Sequence, residues 1–463
     1  MITLFRNDTT YPLKDIKEHM LREIGQLPHK VAAIGNNPTI LRFEFLTEHL
    51  DILTWLNNQN TSNKIYWSNR QHDFEVGGIG AAHICEGQGA VNYRELFDAM
   101  EDHLSSDNSQ LRYYGGFSFN DTSLDTEWKD FGHYRFVIPQ FELLSAQGKT
   151  LFAFNIVIDE ITEDNIKKIL KTCEAVNFSK ETIYKRPPPE VQSRHDFPDR
   201  DSWNKLLTQL IDQNGKTKYE KVVLARKTIF DFDRPINPIA LIKHLKDMTP
   251  NCFHFCFQTS DHHAFLGASP ERLFKRTENR IETEALAGTM PRGKNPNDER
   301  QFEEDLLNSP KLLNEHNIVV KEIKKTLKDF CEQLDCDKTF TVIKLNEGQH
   351  LLTKFRGTLQ KNIGNDELIS HLHPTPAVGG APRESVLPAI NKLEPFSRGW
   401  YAAPIGYVGY DTAEFAVAIR SGLVDQNKLS LYAGAGIVTG STAEKEWEEI
   451  EYKISSFLKV FGR

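Results

Sequence analysis

Two long amphipathic segments give the clearest regular pattern in the chain. In the first, apolar side chains recur every three or four positions, at Leu312, Val319, Ile323, Leu327 and Phe330. Ser309 and Pro310 suit the N-cap and the first turn, so a helix is predicted over Pro310–Phe330. A second stripe of this period predicts a helix over Ser441–Phe461, with apolar positions Trp447, Ile450, Ile454, Phe457, Leu458 and Phe461.

Short runs rich in β-branched and aromatic residues predict strands, among them Lys149–Asp159, Tyr219–Thr228, Phe415–Arg420 and Leu429–Val438. Several strands follow one another without a helix between them, which favours antiparallel sheet and an α+β fold. The three prolines at 187–189 can neither continue a helix nor donate to a sheet ladder. They predict an extended connector between an N-terminal half, 1–190, and a C-terminal half, 195–463.

Composition excludes several classes of protein. The 463 residues are 39% hydrophobic and 26% charged, as in ordinary globular domains. The net charge of −8 and the absence of a basic block argue against nucleic-acid binding, but not against an anionic small molecule. No apolar run is long enough to span a membrane, and the N-terminus resembles neither a signal peptide nor a transit peptide. Six cysteines without a CxxC pair indicate a reduced, cytoplasmic protein.

Carboxylates lie where both helices should be buried. Glu315 falls on the apolar stripe of the first helix, and Glu446, Glu449 and Lys453 follow one flank of the second. A buried carboxylate is costly unless it is paired or bound to a cation. One interpretation is that Glu315 reaches solvent at the edge of the stripe, and that Glu449 and Lys453 form an exposed pair. The other is that carboxylates from the two helices form a Mg²⁺ site.

Two predicted strands carry small residues on one face. These faces are Ala416, Ala418 and Arg420 in the first strand, and Tyr432, Gly434 and Gly436 in the second. Such faces leave room for a ligand, and bare glycine backbone offers N–H donors to an anion. A bulged or bent strand explains the glycines equally well. Lys221 shares a strand face with Val223 and Ala225 and is either an edge residue or a catalytic base.

Nine blocks of the C-terminal half, taken together, resemble the chorismate-utilising enzymes. This family includes anthranilate synthase component I, aminodeoxychorismate synthase, salicylate synthase and isochorismate synthase. The blocks keep the order of the family and cover nearly all of residues 219–460. They are KVVLARK (221–227), FLGASPERLF (265–274), TEALAGT (283–289), NEHNIVVKEI (314–323), HLHPTPAVGGAPRE (371–384), EPFSRGWYAAPIGY (394–407), AIRSG (418–422), LYAGAGIV (431–438) and EKEWEEIEYK (444–453). The N-terminal half matches mainly through YYGGFSFN (113–120).

The resemblance implies a single large α+β domain of two stacked antiparallel sheets, with helices outside and a cleft between them. Both halves of the chain would then contribute strands, and the proline segment would be a crossover within one folding unit. The resemblance also implies chorismate and isochorismate as substrate and product.

Two positions bear on the branch of the family. Amine-using members usually carry Gln where this chain has Lys221, and aminodeoxychorismate synthases carry a nucleophilic Lys where it has Ala287. The chain therefore resembles the water-adding branch, for which no glutamine amidotransferase subunit is expected. SPER (269–272) with TEALAGT resembles most the isochorismate synthases of menaquinone biosynthesis. A salicylate synthase and a siderophore-pathway isochorismate synthase remain alternatives. An inactive partner subunit is disfavoured because the catalytic residue types are present.

The resemblance also assigns roles to individual residues. Lys221 would be the general base and Glu271 the general acid, and burial would favour the uncharged form of each. His373 matches an active-site histidine, although a structural histidine in a Pro-rich turn is the alternative. Glu315 and Glu449 would bind Mg²⁺, with Glu446 as a direct or water-mediated ligand. Residues that would contact the substrate are Gly288, Thr289, Arg420, Tyr432, Gly434, Gly436 and Lys453.

Overall fold

The computed structural model describes residues 3–27, 39–106, 109–158, 162–181, 187–345 and 348–462. Its strands are β1 (Thr3–Tyr11), β2 (Thr39–Thr47), β3 (Lys64–Ser68), β4 (Phe74–Ile79), β5 (His83–Gly87), β6 (Arg112–Phe117), β7 (Tyr134–Ile138), β8 (Phe141–Ala146), β9 (Lys149–Ile158), β10 (Val191–Phe197), β11 (Lys221–Phe232), β12 (Phe253–Ser260), β13 (His263–Ser269), β14 (Arg272–Thr277), β15 (Arg280–Met290), β16 (Cys331–Cys336), β17 (Thr341–Leu345), β18 (Gly348–Leu359), β19 (Gly380–Ala381), β20 (Pro404–Gly409), β21 (Thr412–Val417), β22 (Ser421–Asp425) and β23 (Lys428–Ile437). Its helices are α1 (Leu13–Gly25), α2 (Ile52–Asn57), α3 (Tyr93–Glu101), α4 (Glu163–Ala175), α5 (Arg200–Leu210), α6 (Pro238–Met248), α7 (Pro296–Asn308), α8 (Pro310–Phe330), α9 (Asn365–Leu372), α10 (Arg383–Leu393) and α11 (Ala443–Leu458).

These strands form two large sheets. The first runs in the order β1-β2-β9-β8-β4-β3-β12-β13-β22-β23-β11-β10, with β19 added to β11. The second runs β16-β18-β15-β14-β21-β20-β6-β7-β5, with β17 added to β18. The β1–β2 pair is parallel, and the other ladders of both sheets are antiparallel. The predicted α+β fold with two antiparallel sheets is confirmed.

The sheets share one aromatic core, to which both parts of the chain contribute. Trp67 of β3 and Tyr407 of β20 bring residues of the two sheets together, with ring centroids 6.3 Å apart. Strands from before and after residue 190 are neighbours in each sheet, since β3 pairs with β12 and β6 with β20. Of the predicted proline connector, Lys185 and Arg186 lie outside the described residues, and 187–190 form no regular element.

Both predicted C-terminal helices are present. Helix α8 begins at Pro310, and the Ser309 hydroxyl oxygen accepts the Leu312 N–H at 3.3 Å. Helix α11 begins two residues later than predicted, because Thr442 caps it by accepting the Lys445 N–H. The predicted strands at 149–159 and 429–438 correspond to β9 and β23, while Asp159 lies outside the described residues.

The predicted strand over Phe415–Arg420 is wrong at its C-terminal end. β21 ends at Val417, and Arg420 adopts a left-handed conformation with φ of 52° in the turn to β22. The Arg420 carbonyl accepts the Ala268 N–H at 3.0 Å, which fixes this turn against β13. Alternation along one strand therefore does not place Ala416, Ala418 and Arg420 on a common face.

Within the described ranges, no helix combines the length and apolarity needed to cross a bilayer. The six cysteines are all free thiols.

Candidate active site

A cleft lies between β11 and β23 of the first sheet, β15 and β18 of the second, and helices α8 and α11. It gathers most of the residues that the sequence singled out. Those lining it are Lys221, Glu271, Gly288, Thr289, Glu315, Arg420, Tyr432, Gly434, Gly436, Glu449 and Lys453. Glu446 lies one helical turn before Glu449 without lining the cleft, and His373 is elsewhere.

Glu271 stands in the short connection between β13 and β14. Its N–H donates to the Ser269 hydroxyl at 3.2 Å, and its carbonyl accepts the Val417 N–H at 3.0 Å. The side chain is buried, and burial together with the nearby Glu284 carboxylate raises the pKa of Glu271 to about 8. Glu271 is therefore protonated at neutral pH, as a general acid must be.

Lys221 is the first residue of β11, and its side chain is 1% exposed. Its Nζ lies 2.9 Å from Glu315 Oε1 of α8. The backbone at this point is held by β19, where Gly380 faces Val222. Gly380 has φ of 128°, and a Cβ there would lie 2.3 Å from the Lys221 carbonyl oxygen. The HPTPAVGG segment thus holds the strand from which Lys221 enters the cleft, and only glycine permits this approach.

Each of the three predicted metal ligands is paired with a lysine. The pairs are Glu315 with Lys221 at 2.9 Å, Glu446 with Lys311 at 2.6 Å and Glu449 with Lys453 at 2.6 Å. Burial and the neighbouring Glu449 raise the pKa of Glu446. Burial also opposes ionisation of Glu449, but Lys453, Lys311 and Lys221 outweigh it and lower the pKa of that carboxyl. The negative and positive charges of this wall are therefore closely matched.

The donor chemistry of these carboxylates fits Mg²⁺, which prefers hard oxygen ligands and retains several waters. Glu315 and Glu449 line the same cleft from different helices. A Cβ on Gly436 would lie 2.7 Å from Glu315 Oε1, so the glycine leaves space for that carboxylate. In the part of the chain that the structure describes, no three His, Cys, Asp or Glu side chains form a ready-made metal cluster. The oxygens that suit the ion are engaged by lysines instead.

A cation, aromatic rings and bare backbone also line the cleft. Arg420 lies in the cleft with Tyr432 and Tyr401, whose rings stack with centroids 5.4 Å apart. The Tyr432 hydroxyl donates to Glu127 at 2.8 Å, so Tyr432 contributes its ring to the wall. Lys453 Nζ donates to the Gly434 carbonyl at 2.9 Å. Tyr401 did not emerge from the sequence, because nothing there distinguishes it from other core tyrosines.

A β-bulge shapes the floor of the cleft. The ladder between β15 and β18 shifts register between Ala287 and Thr289, and Gly288 has φ of 76°. A Cβ on Gly288 would lie 3.2 Å from the Leu312 carbonyl oxygen, so the glycine also brings α8 close. The bulge re-aims Thr289, whose hydroxyl lies 3.1 Å from His350 Nδ1.

The two histidines differ sharply in position. His373 is buried outside the cleft lining, where its Nε2–H donates to the Phe119 carbonyl at 3.0 Å and burial lowers its pKa to about 3. His350 of β18 lines the cleft and is 6% exposed. Burial, with Arg420 and Lys453, lowers the pKa of His350 to about 3, and no hydrogen-bond partner for its Nε2 exists among the described residues. His350 therefore presents a neutral imidazole to the cleft. The sequence feature that could have indicated His350 is its position in the apolar run at 350–352.

Comparison with known proteins agrees with the fold. Residues 27–462 match the family described as chorismate binding enzyme. The isochorismate synthase MenF of Bacillus subtilis is 32% identical over 461 residues, covering 95% of this chain and 97% of that protein. The solved structure of MenF, the menaquinone-specific isochorismate synthase from Escherichia coli, superposes with a TM-score of 0.85 and 27% identity over 97% of this chain and 99% of that one.

A more distant likeness concerns the fold alone. Anthranilate synthase component I from Streptococcus pneumoniae has a TM-score of 0.68 at 18% identity, over 83% of this chain and 92% of that one. The cleft, its carboxylates and the extent of the family match lead to one conclusion: this chain belongs to the family of chorismate binding enzymes.

Proposed function

We propose that this protein is an isochorismate synthase, an isomerase that interconverts chorismate and isochorismate for menaquinone biosynthesis. The observation that carries the proposal is a single cleft containing both Lys221 and a protonated Glu271. The MenF relatives support the reaction and the pathway. Lys221 and Ala287 support water, rather than ammonia or an enzyme lysine, as the nucleophile. Free cysteine thiols support a cytoplasmic location.

The reaction needs two proton-transfer groups. Water adds at C2 of the ring, both ring double bonds shift by one position, and the C4 hydroxyl leaves as water once it is protonated. In this proposal the neutral amine of Lys221, released from its contact with Glu315, takes the proton of the attacking water, and Glu271 gives a proton to the departing hydroxyl. Because attack and departure occur at different ring carbons, one group cannot perform both transfers. In the reverse direction the two residues exchange roles.

We infer that Glu315 and Glu449 hold Mg²⁺, with Glu446 as a direct or water-mediated ligand. When bound, the ion would compensate the charge of the ring carboxylate of chorismate. Lys311 and Lys453 contact Glu446 and Glu449 at 2.6 Å and keep them in place. The support is the donor chemistry of the three glutamates and their convergence from α8 and α11.

The second carboxylate of chorismate is assigned to Arg420 and the donors near it. Arg420 supplies a planar fork that matches a carboxylate, and Lys453 and the N–H groups around Gly434 and Gly436 add further donors. The Tyr432 ring, Gly288 and Thr289 border the ring of the substrate.

His350 takes the contact that the family resemblance gave to His373, because His350 lines the cleft. If its Nδ1 accepts from the Thr289 hydroxyl, its Nε2 carries the ring proton, for which the described residues offer no acceptor.

Product analysis tests this function. The protein is incubated with chorismate and MgCl₂, and the products are separated chromatographically. Isochorismate in equilibrium with chorismate is the expected result. Salicylate with an equal amount of pyruvate would instead identify a salicylate synthase. Unchanged chorismate would refute any chorismate-converting activity.

A further inference from the structure

Arg70, an arginine from the part of the chain before residue 190, contacts the segment that carries Glu271. Arg70 lies in the turn between β3 and β4, and its fork donates to Glu284 of β15 at 2.7 and 2.8 Å. Arg70 Nη1 also donates to the Pro270 carbonyl at 2.8 Å. The bidentate geometry fixes both partners.

Glu284 holds the backbone on the other side of Glu271. Its Oε1 accepts the Arg272 N–H at 3.0 Å in addition to the Arg70 bond. Pro270 and Arg272 are the two chain neighbours of Glu271, so the Arg70–Glu284 pair holds the backbone on both sides of the acid. Glu284 is 2% exposed and Arg70 is 11% exposed, so both groups act in a water-poor environment.

The pair also sets the charge that Glu271 experiences. The charged groups that act on Glu271 are Glu284, Lys221, Arg70 and Lys453. Glu284 is the only anion among these four, and after burial it is the main cause that raises the pKa of Glu271. Lys221, Arg70 and Lys453 act in the opposite direction, so removal of the Glu284 charge leaves no anion among these groups to oppose ionisation of Glu271.

We propose that Arg70 and Glu284 are positioning residues for Glu271. Arg70 fixes the backbone before the acid through the Pro270 carbonyl, and Glu284 holds the Arg272 N–H after it and places a negative charge near it that opposes its ionisation. The inference rests on the proposed function in one respect, namely that Glu271 acts as the general acid.

The rate of isochorismate formation as a function of pH separates this role from a merely structural one. In Glu284→Gln the anion is removed while an oxygen acceptor is retained. The basic limb of the pH–rate profile, which lies near pH 8 in the wild type, should therefore move to lower pH by about one unit. In Arg70→Lys the charge stays but the fork is lost, so kcat should fall about tenfold with the limb near pH 8. An unmoved limb in folded Glu284→Gln, or an unchanged kcat in Arg70→Lys, would overturn the respective role.

Glu142→Gln is the matched control. Glu142 is an equally buried carboxylate that pairs with Arg42 at 3.0 Å, away from the cleft. Its loss should weaken folding without moving the basic limb. If Glu284→Gln fails to fold because Arg70 is left unpaired, the double variant Arg70→Met, Glu284→Gln removes both charges. Its limb should still lie below that of the wild type, and an unmoved limb there would again refute the proposal.

A second readout needs no turnover. Urea unfolding is measured from pH 4 to 9 for the wild type and Glu271→Gln, and the difference reports protonation of Glu271. The same difference in the Glu284→Gln background should have its midpoint at lower pH. An equal midpoint in both backgrounds would reject the electrostatic role of Glu284. A wild type that forms no isochorismate would refute the proposed function and leave this second result decisive.

Discussion

Replacing Glu271 by Gln tests the acid directly. With a pKa of about 8, Glu271 is roughly nine-tenths protonated at pH 7 and about one-tenth protonated at pH 9. Because only the protonated form of Glu271 can act as the acid, the rate of the wild type should fall about tenfold per pH unit above pH 8. Glu271→Gln has no proton to give, so its rate should be lower by about 10²–10⁴ and its basic limb should disappear.

The same substitution has a predictable effect on stability. The pKa of Glu271 in the folded protein lies above the ordinary value of 4.5. The contribution of this group is therefore fully present below that value and is lost as the pH rises through about 8. The loss is on the order of 5 kcal/mol, because each pH unit between the folded and unfolded pKa values corresponds to about 1.4 kcal/mol. Glu271→Gln does not ionise, so its stability relative to the wild type should increase between pH 5 and pH 9.

The assay measures initial rates of isochorismate formation between pH 6 and 9.5, with urea unfolding at pH 5 and 9. Glu332→Gln, which removes an exposed carboxylate outside the cleft, serves as the control and should behave like the wild type. A Glu271→Gln protein that kept a limb near pH 8, or a rate within tenfold of wild type, would refute the role of Glu271. A stability difference that did not change with pH would refute its buried, protonated state.

Three further predictions concern the rest of the cleft. Chelation by EDTA should abolish activity. In a magnesium titration, Glu315→Gln and Glu449→Gln should each weaken activation by MgCl₂ at least tenfold. A variant with the magnesium dependence of the wild type would show that its glutamate is not a metal ligand. Ammonium salts should yield no anthranilate or aminodeoxychorismate by mass spectrometry, since Lys221 and Ala287 replace the residues of the amine-using branches; either product contradicts the branch. His350→Ala should lower kcat/KM by about tenfold or more, whereas His373→Ala should mainly lower the unfolding midpoint. The reverse pattern would show that His373, and not His350, is the active-site histidine.

Local patterns were sufficient for the framework. Helix α8 was predictable to the residue because Ser309, Pro310 and a stripe of period 3.6 are local signals. The face of Tyr432, Gly434 and Gly436 was predictable because β23 is regular over its length. Glu315 and Glu449 stood out because each places a charge on or beside an apolar stripe, and the structure turns both toward the cleft.

Contacts between distant segments were not predictable in this way. Arg70 lies 214 residues from Glu284, and no periodicity in either segment connects them. His373 and His350 both occur in apolar surroundings, and only the packing of β18 against β15 brings His350 to the cleft. The sequence pattern extends the predicted strand to Arg420, because the turn at 418–420 contains no glycine or proline that would mark it.

The fate of the oxygen atoms tests the acid–base mechanism directly. The protein is given chorismate and MgCl₂ in water enriched in ¹⁸O, and early isochorismate is analysed by mass spectrometry. Water attack predicts one ¹⁸O atom in each isochorismate, at the C2 hydroxyl, because that oxygen comes from the water that Lys221 activates. It also predicts that Lys221→Ala slows this incorporation as much as it slows turnover. Isochorismate without ¹⁸O would show that the hydroxyl migrates within the substrate and would contradict the acid–base mechanism.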